Sequence, residues 1–402
     1  MTSLAMAFSD PKKFSVNWIQ GKHTDLLIYI GGALTGYLMM FFHAGLQLDM
    51  IIVWFIWVAL IDTPHFFGTY VRTYFDKEEF QKRKRLLLGS LAWLFVGPVL
   101  IGISYLLYNI GYQNYNVPFF LYILIFSLWA YWHVVRQHWG ILALYKKKNQ
   151  DFDAWDTRID KYLLYGGLLA PCAAFIIRHP EARSVIGLSG AFPAYPEGSI
   201  LSINYLSQLH WEHIIIFLSV TYMFSIVGLF IFRQIQRVKL GVPVNLPKIL
   251  FFIALIPLYV YINYSAAILT VPLIAFSAFV TVYHDVQYHG IVWFYSKNRY
   301  HTPDAEKKYG FAVKISRTFI TYAFSAIAMG VILRFLGCAF EIHPGCGPLV
   351  HTADNVLFGN ITTKELLYSV IIGIPIHHYF VDQYIWRPSK DQTLQKDLNL
   401  NK

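Results

Sequence analysis

The feature that most constrains this chain is the recurrence, along almost its whole length, of apolar stretches roughly 18–25 residues long. A stretch of that length crosses about 30 Å of hydrocarbon as a helix, so the expected fold class is all-α, a polytopic membrane helix bundle. Reading apolar runs between polar breaks gives about ten spans, near 26–45, 49–70, 86–110, 118–145, 163–178, 214–232, 249–264, 266–295, 318–339 and 366–386. Residues 1–402 are read as a single transmembrane domain. With 56% hydrophobic and only 14% charged residues, the chain lacks the polar surface that a soluble fold of this size needs. A soluble enzyme, a disordered chain and a nucleic-acid binder are excluded on that ground. No short apolar core with a small-residue cleavage site precedes the first run, so no cleavable signal peptide is expected.

The net charge of +10 is explained by sidedness. All but five of the 33 Lys and Arg fall at the N-terminus or after an even-numbered run; the exceptions are Arg136, Arg178, Arg183, Arg334 and Lys364. By the positive-inside rule, the N- and C-termini and every even-numbered helix end are expected to be cytoplasmic. The outer connections, near 179–213 and 340–365, are rich in Gly, Pro and Ser and read as ordered caps. Cys338 and Cys346 fall near the outer side, where a disulfide forms if the compartment is oxidising. Cys172, the third cysteine, leaves no ligand set for a full iron–sulfur cluster.

Fifteen histidines in so apolar a chain demand a reason, because ionisable groups in membrane segments are expensive and mark sites. Four clusters stand out. They are Asp62-Thr-Pro-His65, then His133-Val-Val-Arg136-Gln-His138, then His284-Asp285-Val-Gln-Tyr-His289, and last His377-His378-Tyr-Phe-Val-Asp382. On the topology above they gather at the cytoplasmic side of the runs near 49–70, 118–145, 266–295 and 366–386. Residues three or four apart share a helix face, so Asp62/His65, Asp285/His289 and His378/Asp382 each pair a carboxylate with an imidazole. In such a pair both groups can bind metal, or the carboxylate can fix the tautomer of the histidine that does. Two clusters share the form His-x4-His followed closely by Gly, a hint of internal duplication. Five-residue spacing sets those histidines about 140° apart on a helix, so both face one point only if the helix unwinds or two centres are served. Nitrogen ligands with a few carboxylates and no thiolate suit Fe, Zn, Mn or Cu(II). Seven histidines and three aspartates exceed the needs of one tetrahedral ion. Arg136, inside a span between candidate ligands, is the arginine best placed to hold an anionic group or pair with one of the aspartates.

At these residues the chain resembles the histidine-box integral-membrane di-iron enzymes, the fatty-acyl desaturases and the alkane and lipid hydroxylases. The matching residues are His133 and His138, His284 and His289, and the pair His377/His378. No His-x2-3-His-His element is present, and ten runs exceed the four to six of that class. The resemblance implies two non-haem iron ions and dioxygen as co-substrate, with hydroxylation or desaturation of a lipid or other long apolar substrate. It also implies a cytosolic or membrane electron donor. The expected metal ligands are His65, His133, His138, His284, His289, His377, His378, Asp62, Asp285 and Asp382, with Asp285, Asp382 and Arg136 as catalytic groups. A mononuclear-iron oxygenase cleaving a polyene needs only four histidines, and a proton- or metal-coupled transporter would use the clusters as a relay. A haem protein leaves the aspartates unexplained, and a zinc hydrolase lacks His-Glu-x-x-His.

Overall fold

The computed structural model describes residues 13–185, 211–339 and 355–400. Cys346 lies outside them, and with it the expected pairing to Cys338; so does most of both outer connections. The described chain is an all-α bundle. Among the described residues, seven helices are long and apolar enough to cross a membrane: α1 Lys22–Gly45, α2 Met50–Thr73, α3 Lys77–Asn109, α4 Val117–Lys148, α5 Ala154–Arg178, α6 Glu212–Lys239 and α7 Leu246–Tyr264. They are followed by α8 Leu273–Tyr300, α9 Phe319–Ala339 and α10 Thr363–Ile385. Each apolar run of the sequence coincides with one of these helices. Large apolar side chains stand exposed along them, Phe224 and Ile320 at 78% and Leu27 at 74% among others. A water-soluble surface rarely carries so much, whereas lipid is a good solvent for it.

Helix starts follow local chemistry. Asp49, Asp76, Asp153 and Asn245 each accept a backbone N–H from the first turn of α2, α3, α5 and α7. At α10, Thr362 and Glu365 cap reciprocally. Each such cap contributes about 1 kcal/mol. The Asp76 cap explains why α3 begins nine residues before its apolar run: the charged stretch Lys77–Arg85 is helical too, with a kink at Arg83. In α2 the turn Val58–Asp62 is π-helical, the Thr63 N–H bonding to the Val58 carbonyl five residues back. Pro64 follows directly and, having no N–H, cannot continue the ordinary ladder there.

The chain forms two compact units, Met1–Leu46 with Val135–Tyr283 and Gln47–Val134 with His284–Asn401. In the first, α5 packs on α6 and α7, and Phe175 stacks on Phe276 with ring centres 3.8 Å apart. A two-residue parallel ribbon joins Phe14–Ser15 to Val244–Asn245. The polar ends of α4 to α7 are tied by a buried charge network. Lys248 reaches Asp151 at 2.7 Å and Asp160 at 3.2 Å, Lys146 reaches Asp160 at 2.5 Å, and Arg237 bonds both Asp151 and Asp156.

In the second unit α3 packs closely on α10. Each helix brings a glycine against the other's backbone: a Cβ on Gly97 would lie 2.6 Å from the Ser369 carbonyl, and one on Gly373 would lie 2.7 Å from the Leu94 Cα. Small residues let membrane helices approach this far, and the contact is made by dispersion rather than by expulsion of water. Tyr122, Ile372 and Ile376 form the core beneath it, with Trp93 and Trp129 against them. A second ribbon, Val356–Phe358 with Ile361–Thr362, leads into α10.

Candidate metal centre

Four imidazoles from four helices close into a ring inside the second unit. His65 (α2) neighbours His284 (α8) at 5.1 Å between ring centres, His284 neighbours His133 (α4) at 5.0 Å, His133 neighbours His378 (α10) at 4.9 Å, and His378 returns to His65 at 4.8 Å. Adjacent rings are steeply inclined, between 66° and 86°. All four are buried. Sides near 4.9 Å put a common central point about 3.0 Å from each ring centre if the four are arranged tetrahedrally and about 3.5 Å if they form a square. A metal–nitrogen bond of about 2.1 Å plus the short distance from nitrogen to ring centre gives about 3.3 Å, between those limits. By their coordinating atoms the residues fall into two overlapping groups that share His65, one of His65, His133 and His378 and one of His65, His284 and Asp285.

The protons point the same way. Thr69 donates its hydroxyl hydrogen to Asp382 Oδ1 at 2.6 Å, and its oxygen lies 2.7 Å from His378 Nδ1. A carboxylate only accepts and a hydroxyl has one hydrogen, so His378 donates from Nδ1 and keeps a bare lone pair on Nε2. That Nε2 lies 3.1 Å from Nε2 of His65. On the other edge of His65, Nδ1 stands 3.1 Å from Asp285 Oδ1, off the N–H direction. With Nε2 of His378 bare, His65 donates its Nε2–H across that 3.1 Å, and loss of this one proton would leave both nitrogens able to bind a cation. Nε2 of His133 is buried with no hydrogen-bond partner among the described residues. Groups so placed could hold a metal ion, with a hydroxyl behind His378 to fix the tautomer of the coordinating imidazole.

Asp285 is held on its far side by the Trp57 indole N–H, 3.0 Å from Oδ2. With His65 and His284 it forms a second three-ligand group, so it can serve as a direct ligand as well as a support. Asp382 stands 3.7 Å from His378 Nδ1 and also accepts from Tyr288 at 3.1 Å. Asp62 sits 3.8 Å from His65 Nδ1 and 4.0 Å from the Arg334 guanidinium, which donates to Thr63.

The other expected ligands have protein partners of their own. His289 Nε2 meets the Ile61 carbonyl at 3.2 Å. His377 donates to the Tyr74 hydroxyl at 2.8 Å, because that hydroxyl spends its hydrogen on the Leu87 carbonyl. His138 belongs to the first unit and donates to Tyr259, whose own hydrogen goes to the Val280 carbonyl. Arg136, also in the first unit, donates to Tyr165 at 2.8 Å and is exposed. The structure therefore takes the first histidine of each His-x4-His motif into the ring and turns the second elsewhere, as a rotation of about 140° requires. Thr69, Trp57 and Tyr288 escaped the sequence reading. Thr69 carried a signal, standing four residues after His65 on the same helix face.

A small apolar cleft between α2, α9 and α10 is lined by Thr63, Phe66, Leu333, Arg334, Ile371 and Ile374. The Phe66 ring packs on His65 at 4.5 Å and on His378 at 4.9 Å. Comparison with family models, with curated proteins and with solved structures finds no match to this chain.

Proposed function

We propose that this protein is a membrane-bound non-haem iron oxidoreductase that uses dioxygen to hydroxylate or desaturate a lipid or other long apolar substrate. The four-histidine ring carries the reading. Imidazole ligands suit iron, and four of them leave positions open on an ion that accepts five or six ligands, as a dioxygen-using centre needs. When bound, the iron supplies dioxygen activation; the chain supplies the rest. His65, His133, His284 and His378 hold the ion, with Asp285 and the pair Thr69/Asp382 orienting two of them. Phe66 separates the ring from the cleft, through which an apolar molecule reaches the centre sideways while bulk water is kept out. Because His138, His289 and His377 are engaged elsewhere, we assign one iron rather than two.

The sorting of Lys and Arg supports ten membrane-crossing helices with both termini in the cytoplasm. The ring lies 7 residues before the end of α10, at His378, and 16 before the end of α8, at His284. It is thus about 11–24 Å inside those helix ends at 1.5 Å per residue.

Metal content per chain of protein purified without chelators, with an optical spectrum of the same sample, tests the reading. The expected result is one iron and no haem band. Two irons restore the di-iron arrangement, whereas zinc or no metal overturns redox chemistry at this site. The four-histidine count also favours a polyene-cleaving oxygenase. That reaction places both oxygen atoms in the products and needs no external electrons, so reductant consumption per dioxygen separates the two.

A further inference from the structure

Hydroxylation or desaturation by dioxygen requires two electrons from outside for each turnover, and the second unit contains a string of oxidisable rings leading from the histidines to its surface. Tyr288 packs on His65 at 5.4 Å and on His378 at 5.6 Å. From Tyr288 the string continues to Trp386 at 5.9 Å, Tyr295 at 5.8 Å, Tyr300 at 6.0 Å and Tyr309 at 5.6 Å. The four tyrosines are buried, while Lys308, beside the last of them, is exposed. We propose that Tyr288, Trp386, Tyr295, Tyr300 and Tyr309 form an electron relay to the histidine centre. The proposal rests on the function given above and names the route by which its electrons arrive.

Three observations distinguish this string from the aromatic belt of any membrane interface. First, electron transfer falls off exponentially with distance, and every step here is 6.0 Å or less between ring centres. Second, a phenol loses an electron more readily where its proton has somewhere to go, as at alternate tyrosines of the string. Tyr288 donates to Asp382, and Tyr300 donates to the buried Asp76 at 3.0 Å. Third, the Arg72 guanidinium is clamped between Trp386 at 3.9 Å and Tyr295 at 4.5 Å, holding both rings in place. Its charge also makes an electron vacancy short-lived on those two rings and directs it outward, toward Tyr300 and the Asp76 carboxylate.

The electron balance is simple. Dioxygen, the co-substrate of the proposed function, is the oxidant: Tyr288 gives up one electron toward it while the phenolic proton shifts along the hydrogen bond toward Asp382; an electron from Trp386 refills Tyr288 and the proton returns. Tyr295, Tyr300 and Tyr309 refill in turn. Tyr309 is refilled by a reduced one-electron carrier of the flavin or iron–sulfur class, which ends oxidised by one electron. No bond is made or broken along the relay, and two passages supply one turnover.

The test uses the full chain, loaded with iron, carrying a ruthenium photo-oxidant tethered through Lys308→Cys in a Cys338→Ser, Cys346→Ser background. A laser flash oxidises the label, and the loss of one electron from the ferrous centre is followed optically. The expected result is that Trp386→Phe slows this step at least tenfold with iron content unchanged, that Tyr295→Phe does the same, and that Trp386→Tyr restores the rate. Equal rates in the wild type and both Phe variants, with iron bound, overturn the relay alone. Absence of iron from the wild type overturns the proposed function, and the relay with it.

Discussion

Replacing Thr69 with Val removes one hydroxyl and preserves the shape of the side chain. That oxygen is the meeting point of His378 Nδ1 at 2.7 Å, Asp382 Oδ1 at 2.6 Å and the Tyr288 hydroxyl at 2.6 Å. In the variant the His378 N–H faces a methyl group in a fully buried place, and Asp382 retains Tyr288 as a donor. An orphaned buried donor costs about 1–3 kcal/mol, and a lost hydrogen bond to a charged group about 1.5–3 kcal/mol. Partial relaxation brings the expected loss of metal-free stability to about 2–4 kcal/mol. For binding, partners that orient a coordinating histidine are worth about 10–100-fold in metal affinity, or roughly 1.4–2.8 kcal/mol. The assay is a chelator-competition titration of iron, or of zinc as a redox-silent probe, alongside thermal unfolding of the metal-free protein. Thr69→Ser should bind within a few-fold of the wild type. Thr73→Val is the control, because the Thr73 hydroxyl bonds only the Thr69 carbonyl one turn away. An affinity for Thr69→Val within about threefold of the wild type, together with a lowered unfolding temperature, would refute the reasoning: the hydroxyl would then be structural and His378 oriented by something else.

Further outcomes separate the ring from its surroundings. Alanine at His65, His133, His284 or His378 should each reduce bound metal below about a tenth of the wild-type content, while His138→Ala, His289→Ala and His377→Ala retain it; metal loss from a folded His138→Ala protein contradicts the assignment. At Gly330, a Cβ would lie 2.3 Å from the Ala59 carbonyl and 2.8 Å from Pro64 Cδ, so Gly330→Ala should cost about 1–3 kcal/mol or more and lower the unfolding midpoint. An unchanged midpoint argues against the α2–α9 contact. In the first unit, burial would raise the Asp151 carboxyl, but Lys248, then Lys146 and Arg237, outweigh it and draw the group down to about 2. A folded value below the unfolded one of about 4 means that this stability is complete above pH 4 and vanishes as the pH falls through 2, a change of about 2.5 kcal/mol. Unfolding measured at pH 5, 3 and 2 should follow that course in the wild type and flatten in Lys248→Met; identical slopes would exclude the network as the source.

The bundle was legible because its signal is thermodynamic and local: an apolar run of twenty residues has few alternatives to a membrane helix, and a histidine within one has to be explained. That logic located His65, His133, His284 and His378 in four separate runs, and the structure joins them. It could not tell His133 from His138 or His377 from His378, since which neighbour faces inward depends on the rotation of the helix, which only packing sets. Nor could it find Trp57, an indole like ten others until the Asp285 carboxylate is seen beside it. Arg136, expected at the site from its neighbours in sequence, donates to Tyr165. The start of α3 was misplaced because hydropathy is blind to a charged first turn, whereas the Asp76 cap is not.

The wide turn at Val58–Asp62 has one more consequence. A π-helical turn holds one residue more than the α-helical turn it replaces, so it acts as a built-in insertion that advances everything after it by about 100° of azimuth. His65, Thr69 and Arg72 all lie downstream of it. The face of α2 that meets the other three histidines is therefore set by a phase shift lodged three residues upstream of His65, and straightening this turn to α-helix with all five of its residues kept would aim the lower half of the helix at a different neighbour without changing any side chain of the centre.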